Sequence, residues 1–132
     1  MHLFWDTSAV IPLIMREPNT AQAHRAHAAG RRALAWSWMR VEAEAALLRR
    51  RATSEHWREL NKLLSAFIWL EMMPAEESAL CRFNRPLGLR ASDAGHLYVF
   101  SKAMAAISGI QLVTFDQEIQ FAAATCSLPL WL

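Results

Sequence analysis

The chain has 132 residues, 54% hydrophobic and 20% charged, with a formal net charge of +2. That length and balance describe one domain with its own core and exclude a disordered tail, and so small a charge excludes nucleic-acid capture by net charge alone. Nothing approaches the ~20 apolar residues of a membrane span, and Asp6 interrupts the first apolar run before a secretory signal can form, so the expectation is a soluble, cytoplasmic protein.

In chain order, His2–Trp5 reads as a short buried strand. The apolar Ser8–Met15 predicts a helix starting near Ala9 with Pro12 in its first turn. Thr20–Ala29 is Ala-rich and helical, closed by Gly30, and Ala33–Ser37 is a second strand. A long helix follows from about Met39 to Ala52, with Val41, Ala45 and Leu48 as its expected buried stripe. Thr53 and Ser54 carry capping chemistry for a helix over Glu55–Phe67, and Ile68–Met73 is a strand candidate or an extension of that helix. The Pro74-Ala75-Glu76-Glu77 run starts a helix that leads to Phe83. Ser92 is expected to cap a helix from Asp93 to about Ala106. Ile110–Thr114 is a strand, Asp116–Ala124 a short helix, and Leu128–Leu132 a last strand interrupted by Pro129.

Short apolar strands alternating with helices predict an α/β fold with a parallel sheet covered on both faces. In such a sheet ligands bind beyond the carboxyl ends of the strands. Two strands end there in an acid, Leu3-Phe4-Trp5-Asp6 and Leu112-Val113-Thr114-Phe115-Asp116. Glu42 lies about 100° round its helix from Val41, at the margin of the expected stripe and close to a strand end, whereas Glu44 lies about 200° from Glu42 and faces elsewhere. Asp93 stands in the first turn of its helix on the stripe with Leu97 and Phe100. The competing reading of Asp93 is a simple capping acid, which leaves its apolar-side position unexplained. Asp6, Glu42, Asp93 and Asp116 together make an all-oxygen set whose mutual repulsion needs a cation or protons. Hard divalent ions take such ligands, and a carboxylate-held ion fits phosphodiester hydrolysis. There is no zinc-type His/Cys set, no Gly-rich phosphate loop and no nucleophile elbow. Cys81 and Cys126 lack metal-ligand spacing and are expected as free thiols.

The stretches Asp6-Thr7-Ser8-Ala9, Arg40-Val41-Glu42-Ala43 with Ala46-Leu47, Asp93-Ala94 with His96-Leu97, and Thr114-Phe115-Asp116 occur in this order across almost the whole chain. The pattern resembles the PIN-domain family of metal-dependent ribonucleases and, within it, the VapC-type toxins of bacterial type II toxin–antitoxin pairs. That resemblance implies a three-layer α/β/α sandwich and an endoribonuclease acting with Mg²⁺ or Mn²⁺. It also implies a homodimer and a cognate antitoxin whose tail blocks the site. Asp6, Glu42, Asp93 and Asp116 are the catalytic and metal-binding acids it implies, with Ser8 and Thr114 supporting them, and cleavage leaves a 5′-phosphate and a 3′-hydroxyl. His96 matches a family position and reads as a structural histidine beside the apolar stripe. Two departures stand out: Gly95 occupies a helical position usually filled by a larger apolar residue, marking close packing or a weakened turn. Beyond Asp116 the sole further nearby acid is Glu118, which leaves a second ion unsupported.

Arg49, Arg85 and Arg90 are candidates for contacts to RNA phosphates, the alternative being a solvated face. The exposed share of the six tryptophans and the apolar Ala9–Met15 segment are the expected association surfaces. A competing function with the same fold is a catalytically silent binding or scaffold module. An Asp-nucleophile phosphatase is disfavoured because Ser8 stands where its second Asp is needed.

Overall fold

In the computed structural model, which describes all 132 residues, four short strands build one sheet, each strand parallel to its neighbours. They are β1 (His2–Trp5), β2 (Arg32–Trp36), β3 (Ile68–Leu70) and β4 (Gln111–Val113), in the spatial order β3-β2-β1-β4. Seven helices connect and cover them: α1 (Thr7–Ile14), α2 (Thr20–Ala29), α3 (Trp38–Arg49), α4 (Ser54–Ser65), α5 (Glu77–Asn84), α6 (Ala91–Ala106) and α7 (Gln117–Thr125). No helix is long and apolar enough to cross a membrane.

The strand pleat sorts side chains into two cores. Leu3, Trp5, Ala35 and Val113 point to one face, where they pack with Val10 of α1, Ala26 of α2, Leu47 of α3 and Leu64 of α4. Phe4, Leu34 and Leu112 point to the other, against Leu97 and Phe100 of α6 and Ile119 of α7. Two helical layers enclosing a sheet make a three-layer α/β/α sandwich. Burial on both faces explains why the strands read as apolar runs rather than alternations.

Several elements depart from expectation, each for a local reason. Helix α1 begins at Thr7, directly after Asp6, so Pro12 lies in its interior and is buried. Pro lacks the N–H that would bond the Ser8 carbonyl, so the helix forgoes one bond there. Ala9, Val10 and Ile11 are likewise buried, so the first half of Ala9–Met15 is core and not an association surface. In α3 the buried residues are Met39, Ala43 and Leu47, while Val41 and Leu48 are 49% and 68% exposed. This Ala/Leu-rich helix offers two stripes, and entry from β2 selects the one that begins at Met39. Thr53 caps α4 through a capping box completed by the His56 ring. Helix α6 is entered from Arg90, without a side-chain cap, so Ser92 is inside the helix rather than its cap. A single 3₁₀ turn at Pro74–Glu76 precedes α5. The expected last strand reduces to one bridge, Leu112 with Leu130, fixed by Leu112 N–H donating to the Pro129 carbonyl at 2.9 Å.

The strand order reverses between β1 and β4. The chain moves outward from β1 to β2 to β3, then crosses back to place β4 on the other side of β1. The crevice beyond the carboxyl ends at such a reversal is where open α/β sheets take ligands. Asp6 and Asp116 follow those two strands.

Candidate metal centre

Asp6 is 3% exposed, and no Lys or Arg pairs with it. Its neighbours are hydroxyls. Ser8 Oγ donates to Asp6 Oδ1 at 2.8 Å and lies 3.3 Å from Thr114 Oγ1. The same Ser8 oxygen accepts from Phe115 N–H at 2.9 Å, and Thr114 Oγ1 accepts from Asp116 N–H at 3.1 Å. These bonds tie the start of α1 to the end of β4, so Ser8 and Thr114 hold both strand-end acids in place. Burial pushes the Asp6 carboxyl up to about 6; His96 and the two hydroxyls oppose the rise, and the Asp116 carboxylate adds to it.

Asp116 is the N-cap of α7, accepting from Ile119 N–H at 2.9 Å, and Glu118 stands in that helix's first turn. Asp93 occupies the first turn of α6. One carboxylate oxygen from each of Asp93, Asp116 and Glu118 lies within 4.8 Å of the others. The positive ends of two helices therefore sit beneath three carboxylates and offset part of their repulsion. The offset is incomplete: the Asp93 carboxyl is pushed up, first by burial, then by Asp116, with Glu42 and Glu118 adding and His96 opposing.

Glu42 and Asp6 fall outside that closest set. Glu42 accepts from Thr7 Oγ1 at 2.8 Å and contacts His96 Nε2. Burial pushes its carboxyl up, but His96, Thr7 and Ser92 outweigh burial and hold it below the usual carboxylate range. His96 is 1% exposed, and its Nδ1 has no hydrogen-bond partner. The edge of Trp36 closes on the imidazole, with ring centroids 5.1 Å apart at 82°. Gly95 is required by that packing. A Cβ there would stand 2.4 Å from Trp36 Cη2, so the glycine marks close approach rather than a weakened turn.

The structure thus brings Asp93 and Asp116 together as the sequence suggests, and adds Glu118 as the third member of the set. Glu42 is instead engaged by Thr7 and His96. Thr7 was missed: it sits between two residues singled out, and only the approach of α3 to α1 gives it a role. Arg49, Arg85 and Arg90 are exposed and make no ion pair. Arg90 enters α6 just ahead of Asp93, whereas Arg49 ends α3, about 10 Å of helix rise beyond Glu42.

Three clustered carboxylates at two helix N-termini, with a buried fourth nearby and no Lys or Arg among them, suit a hard divalent cation, which prefers oxygen ligands. This defines an α/β/α protein with an acidic centre at its topological switch point that can hold a metal ion. No family model matches the chain, and no curated protein matches it. Among solved structures it is similar to PAE2754 from Pyrobaculum aerophilum, with 26% sequence identity and a TM-score of 0.65 over 92% of this chain and 79% of that one.

Proposed function

We propose that the chain is a metal-dependent endoribonuclease of the PIN-domain type, acting as the VapC-like toxin of a toxin–antitoxin pair. The observation that carries the reading is the Asp93, Asp116 and Glu118 set at the β1/β4 switch point, with Asp6 buried beside it. Asp93, Asp116 and Glu118 are the residues to hold Mg²⁺ or Mn²⁺, and Asp6 supplies a further carboxylate. A divalent ion bound there lowers the pKa of an attacking water and stabilises charge on a phosphodiester. Ser8 and Thr114 orient Asp6 and Asp116 through the hydroxyl bonds described above. The half-buried Glu42 and the buried His96 form a contacting pair that fixes the wall of the centre. Arg90, exposed at the entrance of α6, is the best placed of the arginines to meet a backbone phosphate.

The partners belonging to this reading are single-stranded RNA, a cognate antitoxin and a second copy of the chain. Exposed apolar side chains on α3 support association: Val41 and Leu48 are 49% and 68% exposed. The test of the activity is cleavage of single-stranded RNA by the purified chain. Expected is cleavage with Mg²⁺ or Mn²⁺, abolished by EDTA. It should fall in Asp116→Asn by more than the ~10–100-fold that loss of an outer-shell support costs. Equal cleavage by both proteins, or cleavage surviving EDTA, rejects the reading. Metal binding without any cleavage assigns the chain to a binding module instead.

A further inference from the structure

Beside the acidic centre, a cleft of about 490 Å³ opens between the end of β2, the 3₁₀ turn and the start of α6. Its walls include Trp36, Trp38, Met72, Met73, Glu77 and Ser92. The two indoles lie 6.3 Å apart, tilted by 34°. Trp38 is 46% exposed and Met73 58%. Trp36 is held rigidly, seated over Gly95 and closed edge-on against His96. Through His96 and Glu42 this wall is continuous with the metal centre, and Ser92 precedes Asp93 directly in α6.

The chemistry of the cleft selects its occupant. It contains no Lys or Arg and one acid, so it repels a phosphate and offers nothing to an acidic peptide. It does offer flat aromatic surface, a carboxylate that accepts from an exocyclic amine, and a hydroxyl. Its volume falls within the range of small-ligand sites. Unpaired bases are recognised in this way, by stacking on aromatic side chains and hydrogen bonding along their edges. We propose that this cleft docks one unpaired nucleobase of a single strand whose backbone passes over the Asp93, Asp116 and Glu118 set. The proposal rests on the ribonuclease reading for the identity of the strand. Trp38 supplies the open stacking face, Trp36 the fixed wall, and Glu77 favours a base bearing an amino group. The site thereby sets which phosphodiester lies at the acids, and it requires that strand to be unpaired.

The test is a binding measurement that does not depend on cleavage. Short oligoribonucleotides carrying a single abasic position, walked along the strand, are titrated into the full chain in EDTA by fluorescence anisotropy. The wild type is expected to lose about tenfold in affinity at one position, the loss of roughly one stacked base. Trp38→Ala is expected to bind the intact strand about tenfold more weakly, with a flat abasic profile and an unchanged salt slope, because stacking neutralises no phosphate. Gly95→Ala, which displaces Trp36 while keeping both indoles, should flatten the profile as well. Folding of each variant is checked by circular dichroism; Trp38 is exposed at the first position of α3, so its truncation leaves the core intact. A flat profile in the wild type, or unchanged binding in Trp38→Ala, overturns the docking, as does tight binding of duplex RNA equal to that of the single strand. If Mg²⁺-dependent cleavage persists alongside a flat profile, the docking fails and the nuclease reading stands. Absent cleavage with a position-dependent profile keeps the docking and rejects the nuclease.

Discussion

Asp6 is legible in the sequence as an acid ending an apolar strand, and its burial has a cost that can be measured. Its carboxyl, pushed up from 3.8 to about 6, keeps a proton in the folded chain that the unfolded chain has released. Between those pH values the folded state binds more protons, so stability falls as pH rises through the window and levels off above it. A rise of this size corresponds to roughly 3 kcal/mol at neutral pH. Asp6→Asn should therefore stabilise the metal-free protein by up to about that much at pH 7.5, and by little at pH 3.5. Urea denaturation at the two pH values measures the difference; an equal effect at both means the carboxylate is not uncompensated. Glu42 behaves oppositely, since its lowered carboxyl contributes stability that is lost as pH falls. Glu42→Ala leaves the buried His96 ring without its partner and should destabilise by about 1–3 kcal/mol in the same assay. The Glu42–His96 pair could not be read from the chain: nothing in either local sequence signals that α3 and α6 meet there. Glu118 was visible only as an acid near Asp116, and its place in the acidic set follows from the way Asp116 caps α7.

At the level of elements, the strands and most helices follow from apolar runs, Gly, Pro and capping residues. The failures are those where two local solutions compete. Helix α3 carries two plausible apolar stripes, and only its packing on α1 and α4 decides between them. Leu47→Ala should cost about 2–5 kcal/mol, whereas Leu48→Ala, one position on, should change stability by less than about 0.5 kcal/mol. Comparable losses in thermal or chemical melts would return the stripe to Val41, Ala45 and Leu48. Helix α4 is the opposite case. Its start was legible in Thr53-Ser54, and Thr53→Ala should destabilise by about 1 kcal/mol through loss of the capping box. The tail from Leu128 to Leu132 reads as a strand because it is apolar, but Pro129 lacks an N–H for a continuous ladder, and pairing stops at one bridge.

For the whole molecule, the alternation of strands and helices predicted a parallel sheet covered on both faces, the resemblance implied the sandwich, and the order β3-β2-β1-β4 explains why its acids converge. Layers are legible in apolar runs because each must be covered, whereas the reversal beside β1 emerges only from three-dimensional pairing. A ligand that binds only the folded chain raises stability by about 2.7 kcal/mol at a hundred times its dissociation constant. On the proposed reading, Mg²⁺ or Mn²⁺ should raise the melting temperature of the wild type, reversibly with EDTA, and leave that of Asp116→Asn nearly unchanged. An identical rise in both proteins would place the ion elsewhere.

The pairing of β1 with β4 joins segments far apart in chain order, with two intervening strands laid down on the far side. During vectorial synthesis Asp6 leaves the ribosome well before Asp116 and Glu118 do. A chain translated only as far as β3 consequently carries Asp6 without Asp116 and Glu118, and a cation finds no shared seat until β4 has docked.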